Sequence, residues 1–479
     1  MPYADSQPGT PQYEGNRIGE LARLCFPGGV LVDNKVFDHQ GALDRTRNLM
    51  ASGCTTIFEG AFEYGSRRTR VDILKRIGPE RWALYEVKSA TSIHDEHYHD
   101  AAFQADVLRK AGIALESVTI IHVDRAFRRG AAGIDTARFF RFADVTDRLR
   151  QQSGVLDSNL SQMTTALDSG QAPPVAPGIH CHKPHDCEFY AQCTAPLPRD
   201  WIGNLPRVTQ NQLDEMATAG IASIADIPDR IKLSSLQETV RHAHKTGVPF
   251  VAVDIAEILH PLSPPALYLD FESMMPGIPL YLDTAPYQHI PFLFSLHTDI
   301  GGKLSHADFI APPGEDPRRG FAEALIHQTA ATDCPIIVYS PYEKRILNEL
   351  ASALPDLAPG LQKIVARLQD LLVVVRRAVY LPAFNGSFSI KEVAPALASD
   401  VTYKDLAIAN GTTAAAVYQR LVETPALRSA DIAQSLSELR VYCERDTLAT
   451  VRVHRALIAM TRKVGCGSVL RTEIFDRRS

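Results

Sequence analysis

The run RVDILKRIGPERWALYEVKSA, residues 70–90, decides the reading of the first part of the chain. It contains two predicted strands, residues 70–77 and 82–87, with apolar side chains at intervals of one and two. Side chains of a strand alternate between its faces, so Glu86 and Lys88 point to the same side. Asp72 is read at the end of the neighbouring strand, and two adjacent strands can then gather two carboxylates and an ammonium. Working outward, residues 51–62 read as a preceding strand that carries Glu59. Residues 98–111 have helical periodicity that stops at Gly112, and Gln104 on that helix is placed to face the carboxylates. Residues 117–123 form a further apolar strand. Carboxylates suit hard cations such as Mg2+ or Mn2+. A metal with a lysine beside it can activate a water and stabilise charge on a scissile phosphate. The competing reading is a strand pair with ordinary surface charges.

This constellation resembles the PD-(D/E)XK nucleases, specifically the RecB-like branch, over roughly residues 16–195. The matching residues are Asp72, Glu86, Lys88 and Gln104, with Glu59 as the upstream acid. The resemblance implies Glu59, Asp72 and Glu86 as metal ligands, and Lys88 and Gln104 as catalytic residues.

Composition sets the outer bounds. A chain of 479 residues is too long for one ordinary core and suggests two or three domains. Its net charge of -5 gives no global basic signature. That argues against a protein that coats nucleic acid, but not against a nuclease, whose metal site needs clustered carboxylates. The first residues are polar and lack the regions of a secretory leader. No apolar run approaches the roughly 20 residues that span a bilayer. The expectation is a cytoplasmic, reducing location without a membrane partner, where clustered cysteines point to metal or chemistry rather than disulfides.

Three of the eight cysteines fall in HCHKPHDCEFYAQC, residues 180–193, with Cys181, Cys187 and Cys193 at equal steps. Thiolates gathered this closely suit zinc or an iron–sulfur cluster. The run is similar to the cysteine triplet that follows the core of cluster-bearing RecB-like nucleases, which implies a 4Fe-4S cluster, with Zn2+ as the alternative. The fourth ligand is left open between Cys25, Cys54, a histidine and a cysteine upstream of this sequence. Cys334, Cys443 and Cys466 read as core or surface cysteines.

A second acidic set lies downstream. ALYLDFES, residues 266–273, is an apolar strand that ends in Asp270 and Glu272, two acids on one face. Such a pair can hold two divalent ions for in-line phosphoryl hydrolysis. PIIVYSPYEKRIL, residues 335–347, reads as a strand opening into a helix with Glu343 in its first turn. LRVYCERDTLAT, residues 439–450, is helical, and Tyr442 and Asp446 share a helix face. This order resembles the DEDD exonucleases of the DnaQ-like, RNase H-like fold. The resemblance implies Asp270, Glu272, Glu343 and Asp446 as metal ligands and Tyr442 as the residue that positions the attacking water. Glu343 stands where the family has aspartate, and Asp370 is the rival acid. Lys391 is placed to reach a phosphate. The competing readings are chance and an inactive scaffold used for binding.

Between the two sets, LPRVTQNQLDEMATAGIASIADIPD, residues 205–229, reads as two short helices around a glycine turn, then a third. It resembles a helix-hairpin-helix module that holds DNA backbone, with a plain helical spacer as the alternative. The whole arrangement resembles a bacterial family of unassigned function that joins the two nuclease types. The expected fold class is α/β and multidomain: a PD-(D/E)XK core with its cysteines at 1–198, a helical linker at 199–260 and an RNase H-like domain at 261–479. The expected function is metal-dependent hydrolysis of nucleic acid, DNA before RNA. A non-catalytic nucleic-acid binder is the alternative.

Overall fold

A computed structural model describes residues 7–35, 37–151, 153–424 and 426–465, so Cys466 lies outside the described residues. The chain divides into two mixed α/β units. One is Met1–Pro174 with Met275–Gln288, and the other is Val175–Met274 with His289–Ser479.

The first unit is built on a six-stranded sheet in sequence order. Its strands are β1 (Val30–Leu31), β2 (Thr56–Tyr64), β3 (Arg67–Arg76), β4 (Arg81–Lys88), β5 (Ala114–Val123) and β6 (Phe140–Asp144). The pairs β1/β2 and β4/β5 are parallel and the others antiparallel. The strand expected from residue 51 begins later. Residues up to Ala51 finish the helix His39–Ala51, and the chain then turns through Gly53 at φ 84° before β2 starts at Thr56. Asp72 lies within β3 rather than at its end.

Strand β4 is covered on both faces. Trp82 and Leu84 join Ala101, Ala105 and Leu108 of the helix Asp95–Lys110 in one apolar cluster. Tyr85 and Val87 pack into a different cluster with Ile18 and Phe58. Glu86 and Lys88 therefore continue the face that the helix Asp95–Lys110 covers.

The second unit has a two-stranded antiparallel ribbon, β7 (Phe250–Val251) with β13 (Val379–Tyr380). Its main sheet has the order β10-β9-β8-β11-β12. These strands are β8 (Ala266–Met274), β9 (Ile290–Ile300), β10 (Lys303–Ile310), β11 (Ile336–Val338) and β12 (Leu368–Asp370). β9 is antiparallel to both neighbours, whereas β8, β11 and β12 run parallel. The centre of the sheet is β8. Leu267, Leu269 and Phe271 pack with Phe321, Leu325 and Leu347 on one face. Ala266 and Tyr268 pack on the other with Val453 and Leu457 of the long helix Ser429–Gly465.

The domain boundaries differ from those expected. Residues 199–260 do not form a separate linker domain, because Trp201, Leu213, Ile224 and Val240 share one apolar cluster with Tyr268, Val375, Tyr380 and Leu457. The cysteine run groups with the second unit instead of the first. Its Ile179 donates a backbone N–H to Gln210 Oε1 at 3.1 Å, and Ile179, Tyr190 and Leu197 lie on that same cluster. The helix-hairpin-helix pair is also not formed. After the helix Gln210–Thr218 the chain makes only a single 3-10 turn, Ile224–Asp226, before Pro228. A residue before proline is pushed out of the helical region, and Ile227 is extended accordingly. Among the described residues, no helix is long and apolar enough to cross a membrane.

One glycine anchors the shared cluster. Gly386 has φ 78°, and a Cβ there would stand 1.6 Å from the carbonyl oxygen of Asn204. The left-handed conformation alone costs a non-glycine residue about 1–2 kcal/mol. Gly386→Ala is expected to lower the unfolding free energy of the second unit by more than about 2 kcal/mol. Urea unfolding followed by tryptophan fluorescence measures it, and an unchanged midpoint would contradict the close approach.

Candidate metal centres

In the first unit, β3 and β4 bring Asp72 and Glu86 side by side. The Val87 N–H donates to Asp72 Oδ2 at 2.6 Å, which pins that carboxylate across the strand pair. Lys88 Nζ donates to Glu86 Oε1 at 2.8 Å and also to Asp100. Gln104 Nε2 donates to Asp100 Oδ1 at 3.3 Å, one turn further along the same helix. Burial and then Glu59 push the Asp72 carboxyl up to about 6. Burial and then Asp72 push Glu86 well above the usual carboxylate range. Burial pulls the Lys88 ammonium down, but Glu86 and Asp100 outweigh it and the net direction is up. Asp100 is the opposite case: desolvation raises it, Lys88 wins, and it ends below its ordinary value.

Glu59 sits at φ 55° between the ladder pairs Phe58–Ile73 and Gly60–Val71. A left-handed glutamate is strained by about 1 kcal/mol or more. Its carboxylate pairs with Arg23 at 2.9 Å rather than pointing freely at the site. Glu86 Oε2 and Gln104 Oε1 are buried and have no hydrogen-bond partner among the described residues. The orphaned Glu86 oxygen, next to Asp72, is an acceptor that a bound cation would satisfy. Glu59, Asp72 and Glu86 do not, however, gather three ligand atoms within 4.8 Å of one another among the described residues.

In the second unit, Asp270 and Glu272 continue the face of β8 that carries Tyr268, so the long helix covers them too. The register shifts between Glu272 and Ser273, and pairing resumes at Ser273–Pro291 and Met274–Ile290. The helix supplies Asp446, and one oxygen each of Asp270, Glu272 and Asp446 lies within 4.8 Å of the other two. Residues 267–389 match a domain of unknown function, DUF2779. That span contains Asp270, Glu272 and Glu343 but ends before Lys391 and Asp446. No curated protein and no solved structure matches the chain.

Burial, then Asp446 and Glu272, push the Asp270 carboxyl well up. Burial and Asp446 raise Glu272 to about 8, against the pull of Lys391. Burial also raises Asp446, opposed by the Tyr403 and Tyr442 hydroxyls and by Lys391. Asp446 Oδ1 is buried without a hydrogen-bond partner among the described residues. The donor set is all oxygen and carboxylate, which fits Mg2+ or Mn2+.

The other expected residues have separate places. Glu343 is buried in the first turn of the helix Tyr342–Ala353, accepts from Ser340 Oγ at 3.0 Å, and is raised to about 7 by burial. It is near enough to raise Asp270, yet outside the 4.8 Å group. Asp370, the rival acid, caps the helix Leu371–Ala378 through the Leu372 N–H at 2.9 Å. Lys391 Nζ donates to Ala409 O at 2.5 Å and lies 3.4 Å from the Tyr442 hydroxyl. Burial and the surrounding acids keep the Tyr442 phenol protonated far above neutrality.

Within the cysteine run, Cys181 is buried while Cys187 and Cys193 are exposed. No three ligand atoms from this run gather within 4.8 Å among the described residues. Cys25 is raised by burial, and Cys54 donates to Thr56 O at 3.2 Å.

Two functional neighbours escaped the sequence reading. Asp100 precedes Gln104 by one helical turn, a spacing that could have signalled it. Cys443, taken as a core or surface cysteine, is buried with its Sγ 3.4 Å from Asp270 Oδ2. Burial and the three acids keep that thiol protonated, so it donates.

The raised carboxyls give a signed prediction. Unfolded glutamates lose their protons near 4.5, whereas folded Glu343 and Glu272 keep them to about 7 and about 8. The metal-free fold therefore binds more protons than the unfolded chain across that window, and its stability falls as pH rises through it. A cation that neutralises the site removes this loss. Mn2+ at about 100 times its dissociation constant adds about 2.7 kcal/mol, or on the order of 5–10 °C for a unit of this size. The gain in the second unit's transition is expected to be larger at pH 8 than at pH 5 and smaller in Asp270→Asn/Glu272→Gln, which leaves the first unit's carboxylates intact. Thermal melts with and without Mn2+ check this, and an equal gain at both pH values would refute it.

Proposed function

We propose that the chain is a metal-dependent nuclease that hydrolyses phosphodiester bonds of nucleic acid, DNA in preference to RNA, with one active site in each unit. The observation that carries this reading is the trio Asp270, Glu272 and Asp446, whose oxygens lie within 4.8 Å of one another. Their order along the chain, with Tyr442 one turn before the last acid, is the feature that resembles the DEDD exonucleases. The pair Asp72 and Glu86 with Lys88 and Gln104 adds the resemblance to RecB-like PD-(D/E)XK nucleases. The preference for DNA rests on those resemblances.

Bound at these carboxylates, Mg2+ or Mn2+ would supply a water of lowered pKa and charge stabilisation at phosphorus. The remaining work falls to the chain's own groups. Lys88, held by Glu86 and Asp100, keeps its ammonium at the end of β4, where it stabilises charge on a phosphate oxygen. Tyr442 remains a phenol, so it orients the attacking water by hydrogen bonding rather than as a base. Lys391, beside Tyr442, offers a positive charge to the substrate phosphate. Cys443 donates to Asp270 and fixes its orientation. The cysteine triplet takes no step in this reading. A 4Fe-4S cluster or zinc there requires a ligand beyond Cys181, Cys187 and Cys193.

End-labelled single- and double-stranded DNA and RNA, incubated with Mn2+, Mg2+ or EDTA, test the proposal. Glu86→Ala or Lys88→Ala is expected to lower one metal-dependent cleavage by on the order of 100-fold and to leave the other. Asp270→Ala should do the reverse. Well-folded protein that shifts DNA in a gel without metal and never shortens it would replace this reading with a non-catalytic binder.

A further inference from the structure

We infer that His297, His306 and Glu444 form a second and softer cation site in the second unit, suited to Zn2+ or another borderline transition metal. It shares no ligand with Asp270, Glu272 and Asp446 and stands independently of the nuclease reading. His297 on β9 and His306 on β10 are direct partners in the antiparallel ladder, and their rings lie 4.6 Å apart. The helix Ser429–Gly465 brings Glu444 to them. One nitrogen of each imidazole and one Glu444 oxygen lie within 4.8 Å of one another.

A chain of hydrogen bonds links the long helix to both imidazoles through Thr447 and Ser295. Thr447 Oγ1 lies 3.0 Å from the Glu444 carbonyl and 3.3 Å from the Cys443 carbonyl, and carbonyls only accept. Once the Thr447 hydroxyl proton is given to its own helix, the rest of the chain is set. Thr447 must then accept from Ser295 Oγ at 2.6 Å and from His297 Nδ1 at 2.9 Å. With its proton given to Thr447, Ser295 accepts from His306 Nε2 at 2.9 Å. Each histidine thus has its proton on the nitrogen inside this chain. The lone pairs are left on Nε2 of His297 and Nδ1 of His306. Nδ1 of His306 faces Glu444 Oε1 at 3.8 Å.

A neutral imidazole whose second nitrogen donates to a fixed oxygen is a metal ligand oriented by its surroundings. Two such rings and one carboxylate match the ligand preference of zinc-type ions more than that of Mg2+, and they leave a position for water. The His306 and Glu444 side chains are 23% and 47% exposed, so an ion can enter from solvent. His297 is buried and gives the site a rigid base. The ion would tie the β9–β10 hairpin to the helix that carries Tyr442 and Asp446, with Glu444 two residues before Asp446.

Co2+ is the probe, because nitrogen and oxygen ligands in a low-coordinate site give it visible absorption. The full chain would be titrated as wild type, His306→Ala, Glu444→Gln and Asp270→Asn/Glu272→Gln, with circular dichroism to check folding. Glu444→Gln changes an exposed side chain and keeps the fold even where His306→Ala does not. The site predicts a visible band that saturates at one equivalent, is bleached by Zn2+ and persists in Asp270→Asn/Glu272→Gln. The band should be lost in His306→Ala, and binding should weaken about tenfold or more in Glu444→Gln. A protonated His306 merely ion-paired with Glu444 would bind no Co2+ there. Absence of the band in the wild type, its survival in both site variants, or its loss in Asp270→Asn/Glu272→Gln would each overturn the inference.

Discussion

The repulsion between carboxylates held together out of water is the constraint on which the second unit depends. Asp270, Glu272 and Asp446 converge within 4.8 Å, and Glu343 adds to the same field. At such distances like charges disfavour one another strongly, and desolvation adds to the penalty. A loop would relax away from this arrangement. A central strand covered on both faces and a helix of 37 residues cannot. Their apolar faces supply the favourable burial against which the acidic trio stands, and the trio answers by keeping protons or by taking a cation.

The two acidic sets meet that constraint differently. In the first unit the counter-charge is built in: Lys88 bridges Glu86 and Asp100, and Arg23 takes Glu59. In the second unit Lys391 acts on Glu272 and Asp446 from further out and is itself held by Ala409 and Tyr442. The first set is therefore closer to neutrality without metal, and the second has the greater deficit of positive charge. The same chemistry of ligands thus leads to unequal dependence on a cation for stability.

Both sets follow one rule that was legible in the sequence. A strand keeps an apolar alternation and then changes to charged side chains on one face: Trp82, Leu84, Glu86, Lys88 in β4, and Ala266, Tyr268, Asp270, Glu272 in β8. A period of two identifies residues that share a face without knowledge of the fold. The helices that complete each set were legible as well, because Gln104 and the pair Tyr442 and Asp446 sit at helical spacing. What the pattern did not carry was pairing at a distance. The capping role of Asp370 and the ion pair of Glu59 with Arg23 are set by which elements pack together. The place of residues 199–260 in the core around Tyr268 was hidden for the same reason, since short helices with breakers look alike in a linker and in a core. Cys443 is the core cysteine it was read as, but its contact with Asp270 was hidden, because a cysteine reads as apolar until a carboxylate is known to face it.

The long helix shows why polar contacts are kept in an otherwise apolar interface. Cys443, Asp446, Thr447, Thr450 and His454 are all buried and recur at helical spacing along one side. The residues around Asp446 meet a defined partner or their own helix: Cys443 with Asp270, Thr447 with Ser295 and His297, Thr450 with the Asp446 carbonyl, and His454 with Tyr268 at 2.9 Å. Ion pairs continue the series, Arg440 with Asp308 at the surface and Arg455 with the buried Asp299. An apolar stripe tolerates a slip of the helix along the sheet, because burial is non-directional. A stripe of hydrogen-bonding groups does not, because a shift by one residue leaves several buried donors and acceptors unmatched at about 1–3 kcal/mol each. The register of this helix decides where Asp446 stands relative to Asp270 and Glu272. The polar stripe therefore contributes position where an apolar one would contribute only adhesion, and the acidic trio inherits its geometry from it.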